Sequence, residues 1–252
     1  VKETEKKVKA PKLYDLTTLQ REANRIYGMT AKQTLDTAQS LYEKKLITYP
    51  RTDSQYLTED MEQTARNVVR QIYEKYQLTV PFDQPEQPDV KKVMNNSKVT
   101  DHHAIIPTME LASCHLDELK SWEEKILFLI AVHTVMAMSK DHIYQETEIE
   151  VECQGEIFNA KGSTVLQDGW KLFENCFKNK DRMAIVDPDQ EMKERMPKVT
   201  QGQTFYAVAA EKTEHFTSPP KPYSEDTLLA AMETAGNKEF DEDTEKKGLG
   251  TP

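Results

Sequence analysis

The stretch Lys44-Lys45-Leu46-Ile47-Thr48-Tyr49-Pro50-Arg51-Thr52-Asp53-Ser54 sets a tyrosine two residues ahead of an arginine. A phenol titrates near ~10 and is protonated at neutral pH, so a nucleophilic tyrosine needs a nearby cation or base. Arg51 is the candidate for that cation. Ile47 and Tyr49 alternate as on a short strand, and Pro50 fixes the backbone just past the ring. The competing reading is a half-buried packing tyrosine with a wet hydroxyl. A second stretch, Ser97 to Thr108, carries the pair His102-His103. Adjacent side chains diverge and no third ligand stands at helical spacing, so a capped surface turn competes with a metal site there.

Helices and turns must position these groups. Thr17 with Gln20 predicts a capping box, Leu19, Ala23 and Ile26 an apolar stripe, and Gly28 a stop. Thr30 with Gln33 predicts a second cap, before a helix whose apolar face is Leu35, Ala38, Leu41 and Tyr42. Such a pair reads as a helix-turn-helix or as part of a plain helical core. Thr58, followed by Glu59 and Asp60, predicts a third helix with Met61, Ala65, Val68, Val69, Ile72 and Tyr76 buried. A proline-bearing polar loop follows over 77–98. A long helix is expected over 116–139, one-sided, with His133 a satisfied core histidine. From Ile143 the period becomes two, turns at Gln154-Gly155 and continues into Ile157-Phe158, with further strands expected at 161–166 and 204–211. Pro219, Pro220 and Pro222 interrupt the chain, and Ser224 caps a short helix expected to stop at Gly236.

Charge is uneven. The 252 residues carry a net charge of −10, which alone argues against nucleic acid. Residues 1–52, however, hold 11 Lys and Arg against 6 Asp and Glu, so Tyr49 sits in the basic part of the chain. No run reaches the ~18 apolar residues of a membrane span, and the lysine-rich start is no signal peptide. Cys114, Cys153 and Cys176 form no close pair, which fits a reducing cytoplasm. The chain lacks an initiator methionine and stops at Gly248-Leu249-Gly250-Thr251-Pro252, which reads as part of a longer protein.

Ile47-Thr48-Tyr49-Pro50-Arg51-Thr52-Asp53-Ser54 resembles the active-site signature of type IA DNA topoisomerases, and Pro50 resembles their topoisomerase III branch. His102-His103-Ala104-Ile105-Ile106-Pro107-Thr108 resembles the histidine motif beside that tyrosine, with His102 in the motif position and His103 its variable neighbour. The resemblance implies an α+β fold: a mainly helical domain with a helix-turn-helix or winged-helix-like active-site region, and a β-rich arch. It divides the chain into a strand or linker of the arch (1–12), the tyrosine domain (13–142), the arch (143–216) and the start of a further domain (217–252).

By the same resemblance Tyr49 and Arg51 are catalytic, and His102, Thr52, Ser54, Gln20 and Lys44 contact DNA phosphates. The substrate would be single-stranded DNA, cleaved through a 5′-phosphotyrosyl intermediate by a monomeric, cytoplasmic, nucleoid-associated enzyme. Magnesium would be bound by a Toprim domain outside these residues, so this segment alone is expected to be inactive. Asp187-Pro188-Asp189-Gln190-Glu191 matches an acidic magnesium motif in spacing, but it follows the tyrosine where the family's motif precedes it. No metal site is expected in the segment. A non-catalytic helix-turn-helix DNA-binding module is the alternative, while a tyrosine recombinase would place its arginines and histidine before the nucleophile.

Overall fold

Single capping residues, Asp15, Thr30 and Ser224, start three of the helices. The computed structural model describes residues 1–78, 88–178, 199–206, 209 and 211–235, and these fall into two units. One holds Val1–Val8, Asp141–Asp168 and the described residues of 186–222. The other holds Lys9–Lys140 and the described residues of 169–185 and 223–252.

In the second, helical unit, α1 spans Leu16–Tyr27. Its cap is Asp15 rather than the expected Thr17: the carboxylate accepts the Thr18 N–H at 2.7 Å, and the Thr18 hydroxyl accepts the Asp15 N–H at 3.1 Å. A carboxylate satisfies orphan amides there and also suits the positive end of the helix dipole. Gly28 ends α1 at φ 67°, and a Cβ built on it would meet nothing within 4 Å. Gly28→Ala therefore isolates the backbone cost of the left-handed conformation, expected to lower unfolding free energy by about 1 kcal/mol in a urea melt. An unchanged midpoint would show that the turn does not hold this conformation in solution.

The second helix, α2 (Ala31–Glu43), carries the predicted Thr30–Gln33 box. Thr34, Ala38 and Leu41 are its buried positions, whereas Tyr42 is exposed. A 3-10 turn at Glu59–Met61 leads into α3 (Glu62–Tyr76), which buries Ala65, Val68, Val69, Ile72 and Tyr76. The expected long helix is shorter: Leu116–Glu118 is a separate 3-10 turn, and α4 spans Ser121–Ala137. It is central rather than one-sided. Every residue from Ile126 to Val132 is buried, because this apolar run leaves no polar face to turn outward. Its His133 stacks on Tyr14 with ring centroids 3.7 Å apart, and its Nε2–H donates to the Lys12 carbonyl at 2.7 Å.

After α5 (Lys171–Lys178) the unit is completed by α6 (Glu225–Glu233), which packs on α1. Arg21 reaches Asp226 at 2.9 Å and Glu233 at 3.1 Å, Glu225 accepts the Ala31 N–H at 2.6 Å, and the Asp226 N–H donates to Asn24 at 3.2 Å. The boundary expected at 217 thus falls differently. Residues 217–222 go with the sheet unit, and charge complementarity to Arg21 and to the start of α2 holds 225–233 in the helical unit.

The sheet unit contains β1 (Lys2–Val8), β2 (His142–Cys153) and β3 (Glu156–Gln167), antiparallel in the order β1-β2-β3. Lys2 pairs with Glu148 and Val8 with His142; Cys153 pairs with Glu156 across the turn. Gln154 and Gly155 take φ 52° and 85°, the left-handed pair that closes a two-residue hairpin with the right twist. The strand expected at 161–166 is the continuation of β3. Among the described residues of 204–211 no strand forms, and Phe205 and Tyr206 are exposed. The acidic string 187–191 and Gly236 lie outside the described residues.

Candidate active site

The segment bearing Tyr49 leaves α2 through a charged knot. Glu123, in the first turn of α4, is buried; its Oε1 accepts from the Ser40 hydroxyl at 2.7 Å, and its Oε2 accepts from Lys44 Nζ at 2.6 Å and the Lys120 N–H at 3.0 Å. Burial pushes the Glu123 carboxyl up, but these three hydrogen bonds outweigh it and hold the group down to about 2. Lys45 follows at φ 60°, in the left-handed region, which turns the chain sharply into Leu46. Its carbonyl accepts from the Thr108 hydroxyl.

Next the chain runs alongside Ile105–Thr108. The Thr48 N–H donates to the Ile106 carbonyl at 3.0 Å, and the Thr108 N–H donates to the Leu46 carbonyl at 3.0 Å. The strand expected ahead of Tyr49 is an extended segment with one isolated bridge, Ile47 to Pro107. Two local causes limit it. Pro50 and Pro107 have no N–H to donate, and the Thr48 hydroxyl takes the Ile106 N–H at 3.0 Å in place of a backbone partner. Among the described residues the unit's β-pairing consists of isolated bridges, so no regular wing hairpin accompanies the helix pair.

Tyr49 is half-buried between two rings. The His102 ring lies 4.4 Å away at 46°, and Tyr42 meets it edge-on at 5.4 Å. Arg51 and His102, both exposed, line one cleft of about 340 Å³ with Leu16, Thr52, Asp53 and Asp101. The structure therefore brings together Tyr49, Arg51 and His102 from two stretches more than 50 residues apart. Thr52 explains how: its hydroxyl donates to the His102 carbonyl at 3.0 Å and accepts the Ser54 N–H at 3.1 Å, while its carbonyl accepts the Leu16 N–H at 3.0 Å. The two histidines differ in setting. His103 folds back, Nδ1 2.9 Å from the Ala104 carbonyl, and His102 faces outward.

The other expected phosphate contacts sit in a different setting from Arg51 and His102. Thr52, Ser54 and Gln20 are buried at 7%, 4% and 2% exposure, and each has a side-chain hydrogen bond to the protein's own backbone. Ser54 donates to the Lys98 carbonyl at 2.8 Å, and Gln20 donates to the Ala31 carbonyl at 3.1 Å. Lys44 is committed to Glu123. Thr52 and Ser54 thus tie the Tyr49 loop to the 98–102 segment, Gln20 ties α1 to the start of α2, and Lys44 keeps 41% of its side chain exposed. Conversely, Glu123 and Tyr42 were not legible as site residues: the first looks like an ordinary first-turn acid, the second like one more apolar position of α2. Asp53, Asp101 and His102 all line the cleft, but among the described residues no group of three His, Cys, Asp or Glu side chains is placed to hold a cation.

Comparison with known proteins gives a consistent picture. The family described as DNA topoisomerase matches residues 1–252. DNA topoisomerase 3 of Bacillus licheniformis is 39% identical over 242 residues, covering 92% of this chain and 31% of that protein. DNA topoisomerase 3 of Bacillus subtilis is 39% identical over 238 residues, covering 92% and 32%. The chain therefore spans about a third of the length of the curated relatives it matches. Full-length topoisomerase I from Thermotoga maritima superposes with a TM-score of 0.57 at 23% identity, covering 92% of this chain and 36% of that one, which is a likeness of fold.

Proposed function

The chain belongs to the type IA DNA topoisomerase family, in its topoisomerase III branch, and from that premise we propose that it carries the tyrosine half of a strand-cleaving and strand-rejoining site. The observation that supports this most is the contact of the Tyr49 and His102 rings at 4.4 Å beside the cleft that Arg51 lines with His102.

In this reading the Tyr49 oxygen attacks the phosphorus of a phosphodiester in single-stranded DNA. A Tyr49 O–P bond forms and the bond from phosphorus to the 3′ oxygen breaks. The phenol gives up its proton and the leaving 3′ oxygen gains one, leaving a 5′-phosphotyrosyl link and a free 3′-hydroxyl. Arg51, a planar two-pronged donor, meets the charge that builds on the non-bridging oxygens. His102 holds an adjacent phosphate or carries the proton between phenol and solvent. Rejoining is the reverse: the 3′-hydroxyl attacks the phosphotyrosine, so the bond energy is kept. Between the two steps another strand passes, which changes DNA topology. Magnesium, held by a Toprim domain elsewhere in the full-length protein, would add cationic charge at the phosphates. With that domain absent, these 252 residues alone form no adduct. The enzyme works as a monomer in the cytoplasm on nucleoid DNA; no helix among the described residues is long and apolar enough to cross a membrane.

The polarity of the label tests the chemistry. With the full-length protein and magnesium, a strand labelled at its 3′ end transfers its label to protein under denaturing conditions, and a 5′-labelled strand yields a shorter free fragment. Label on protein from the 5′ end would overturn the assignment. Binding without any adduct would favour a non-catalytic DNA-binding module. Arg51→Ala is expected to slow single-turnover cleavage about 100- to 1,000-fold, as the loss of one transition-state donor does elsewhere. Arg51→Lys recovers part of the rate, since it restores the charge but not the two-pronged geometry. A wild-type rate in Arg51→Ala would remove Arg51 from the chemistry.

A further inference from the structure

Two ammonium groups share one aromatic ring close to this cleft. Lys98 Nζ lies 5.0 Å and Lys12 Nζ 5.6 Å from the centroid of Tyr56. Both lysines are exposed and the ring is half-buried. Neither ammonium has a carboxylate partner among the described residues. Other cations of this unit are neutralised: Arg21 is held by Asp226 and Glu233, Arg25 by Glu22, and Lys44 by Glu123. In a chain of net charge −10, two like charges left unneutralised over one ring attract an anion placed between them.

The three side chains are also tied to the Tyr49 site. The Tyr56 carbonyl accepts the Ala104 N–H at 2.9 Å, two residues after His102. The Lys98 carbonyl accepts from Ser54, and the loop continues from it to Thr100, Asp101 and His102 in the cleft wall. Lys12 lies four residues before Leu16, which lines the same cleft. A ring flanked by cations suits single-stranded nucleic acid: phosphate oxygens meet the ammonium groups while a base stacks on the open part of the ring.

We propose that Lys12, Tyr56 and Lys98 form a second nucleotide subsite, which holds a phosphate of the same single strand outside the Arg51–His102 cleft. The proposal rests on the strand-cleavage reading above. It adds a positioning element, which grips the strand without touching the reacting atoms.

The test uses the full-length protein and a fluorescent single-stranded oligonucleotide titrated at several salt concentrations. Lys12→Gln with Lys98→Gln is expected to weaken binding and to lower the slope of log Kd against log salt by about 0.7, the signature of one lost phosphate contact on a single strand. Lys12→Arg with Lys98→Arg restores that slope. Tyr56→Leu weakens binding about 5-fold or more with the slope unchanged, since it removes stacking alone. Adduct yield at saturating strand stays at the wild-type level in all three. An unchanged slope in the Gln pair, with the Tyr49 adduct still forming, overturns the subsite and leaves the Tyr49 reading standing. Failure of the wild type to form any adduct overturns the Tyr49 reading, and the subsite falls with it.

Discussion

Tyr49→Phe is expected to leave the fold and strand binding intact and to abolish covalent attachment of DNA. The substitution deletes one oxygen. The ring keeps its contacts with His102 at 4.4 Å and Tyr42 at 5.4 Å, so the loop retains its packing and the cleft its cations. Thermal or urea melts of the variant should therefore match the wild type, while denaturant-stable adduct falls below detection and relaxation of supercoiled DNA stops. Ring contacts alone give no bond to phosphorus, so any residual adduct would mean another nucleophile. Loss of binding together with loss of adduct would mean instead that the hydroxyl holds the site together.

Glu123→Gln is expected to carry the largest stability effect, about 2 kcal/mol, because a neutral amide replaces the buried carboxylate that accepts from Ser40, Lys44 and Lys120, while the Lys44 ammonium, 41% exposed, keeps contact with water. Glu123 is 3% exposed, and its three donors hold it at about 2 against an ordinary 4.5. The sign follows from that depression. A carboxyl that is more acidic in the folded state contributes stability above pH 4.5, and the contribution is lost as pH falls toward 2. The full shift corresponds to about 3 kcal/mol.

His133 acts in a higher window. Burial, offset by its bond to the Lys12 carbonyl and reinforced by Arg25, pushes the imidazole down to about 4 from 6.5. The unfolded chain takes up that proton first, so stability falls as pH drops from 6.5 to 4. Urea midpoints of the wild type should thus decline in both windows, and Glu123→Gln should flatten only the lower one. A variant with the wild-type acid profile would show that the buried carboxylate is not the source. Because Lys44 opens the segment that leads to Tyr49, the same variant should also slow strand cleavage.

Motifs and caps were legible in the sequence where one residue decides the outcome. Thr30 with Gln33, the αL glycine at Gly28 and the buried stripe of α3 from Ala65 to Tyr76 lie where spacing puts them, while Met61, expected to open that stripe, is half-buried in the preceding 3-10 turn. The juxtaposition of Tyr49 and His102 was suggested by two short strings that resemble one family, not by periodicity, since the contact spans two loops. Other features were decided by tertiary partners. The cap expected at Thr17 is supplied by Asp15 instead, which only the hydrogen bonds reveal. Thr52, Ser54 and Gln20 are polar residues in or near a site motif, yet each spends its side chain on a backbone group. No period distinguishes inward from outward in a loop. The strand before Tyr49 was lost to a threonine hydroxyl and two prolines, a competition of local donors that alternation of apolar residues does not reveal.

The most direct test is the address of the covalent bond. Full-length protein trapped on single-stranded DNA, digested with nuclease and protease, should give one peptide whose mass is raised by a nucleotide, with fragmentation placing the added phosphate on Tyr49. A nucleotide on Tyr42 or Tyr56, the neighbouring phenols, or recovery of unmodified Tyr49 peptide from a trapped complex, would contradict the assignment.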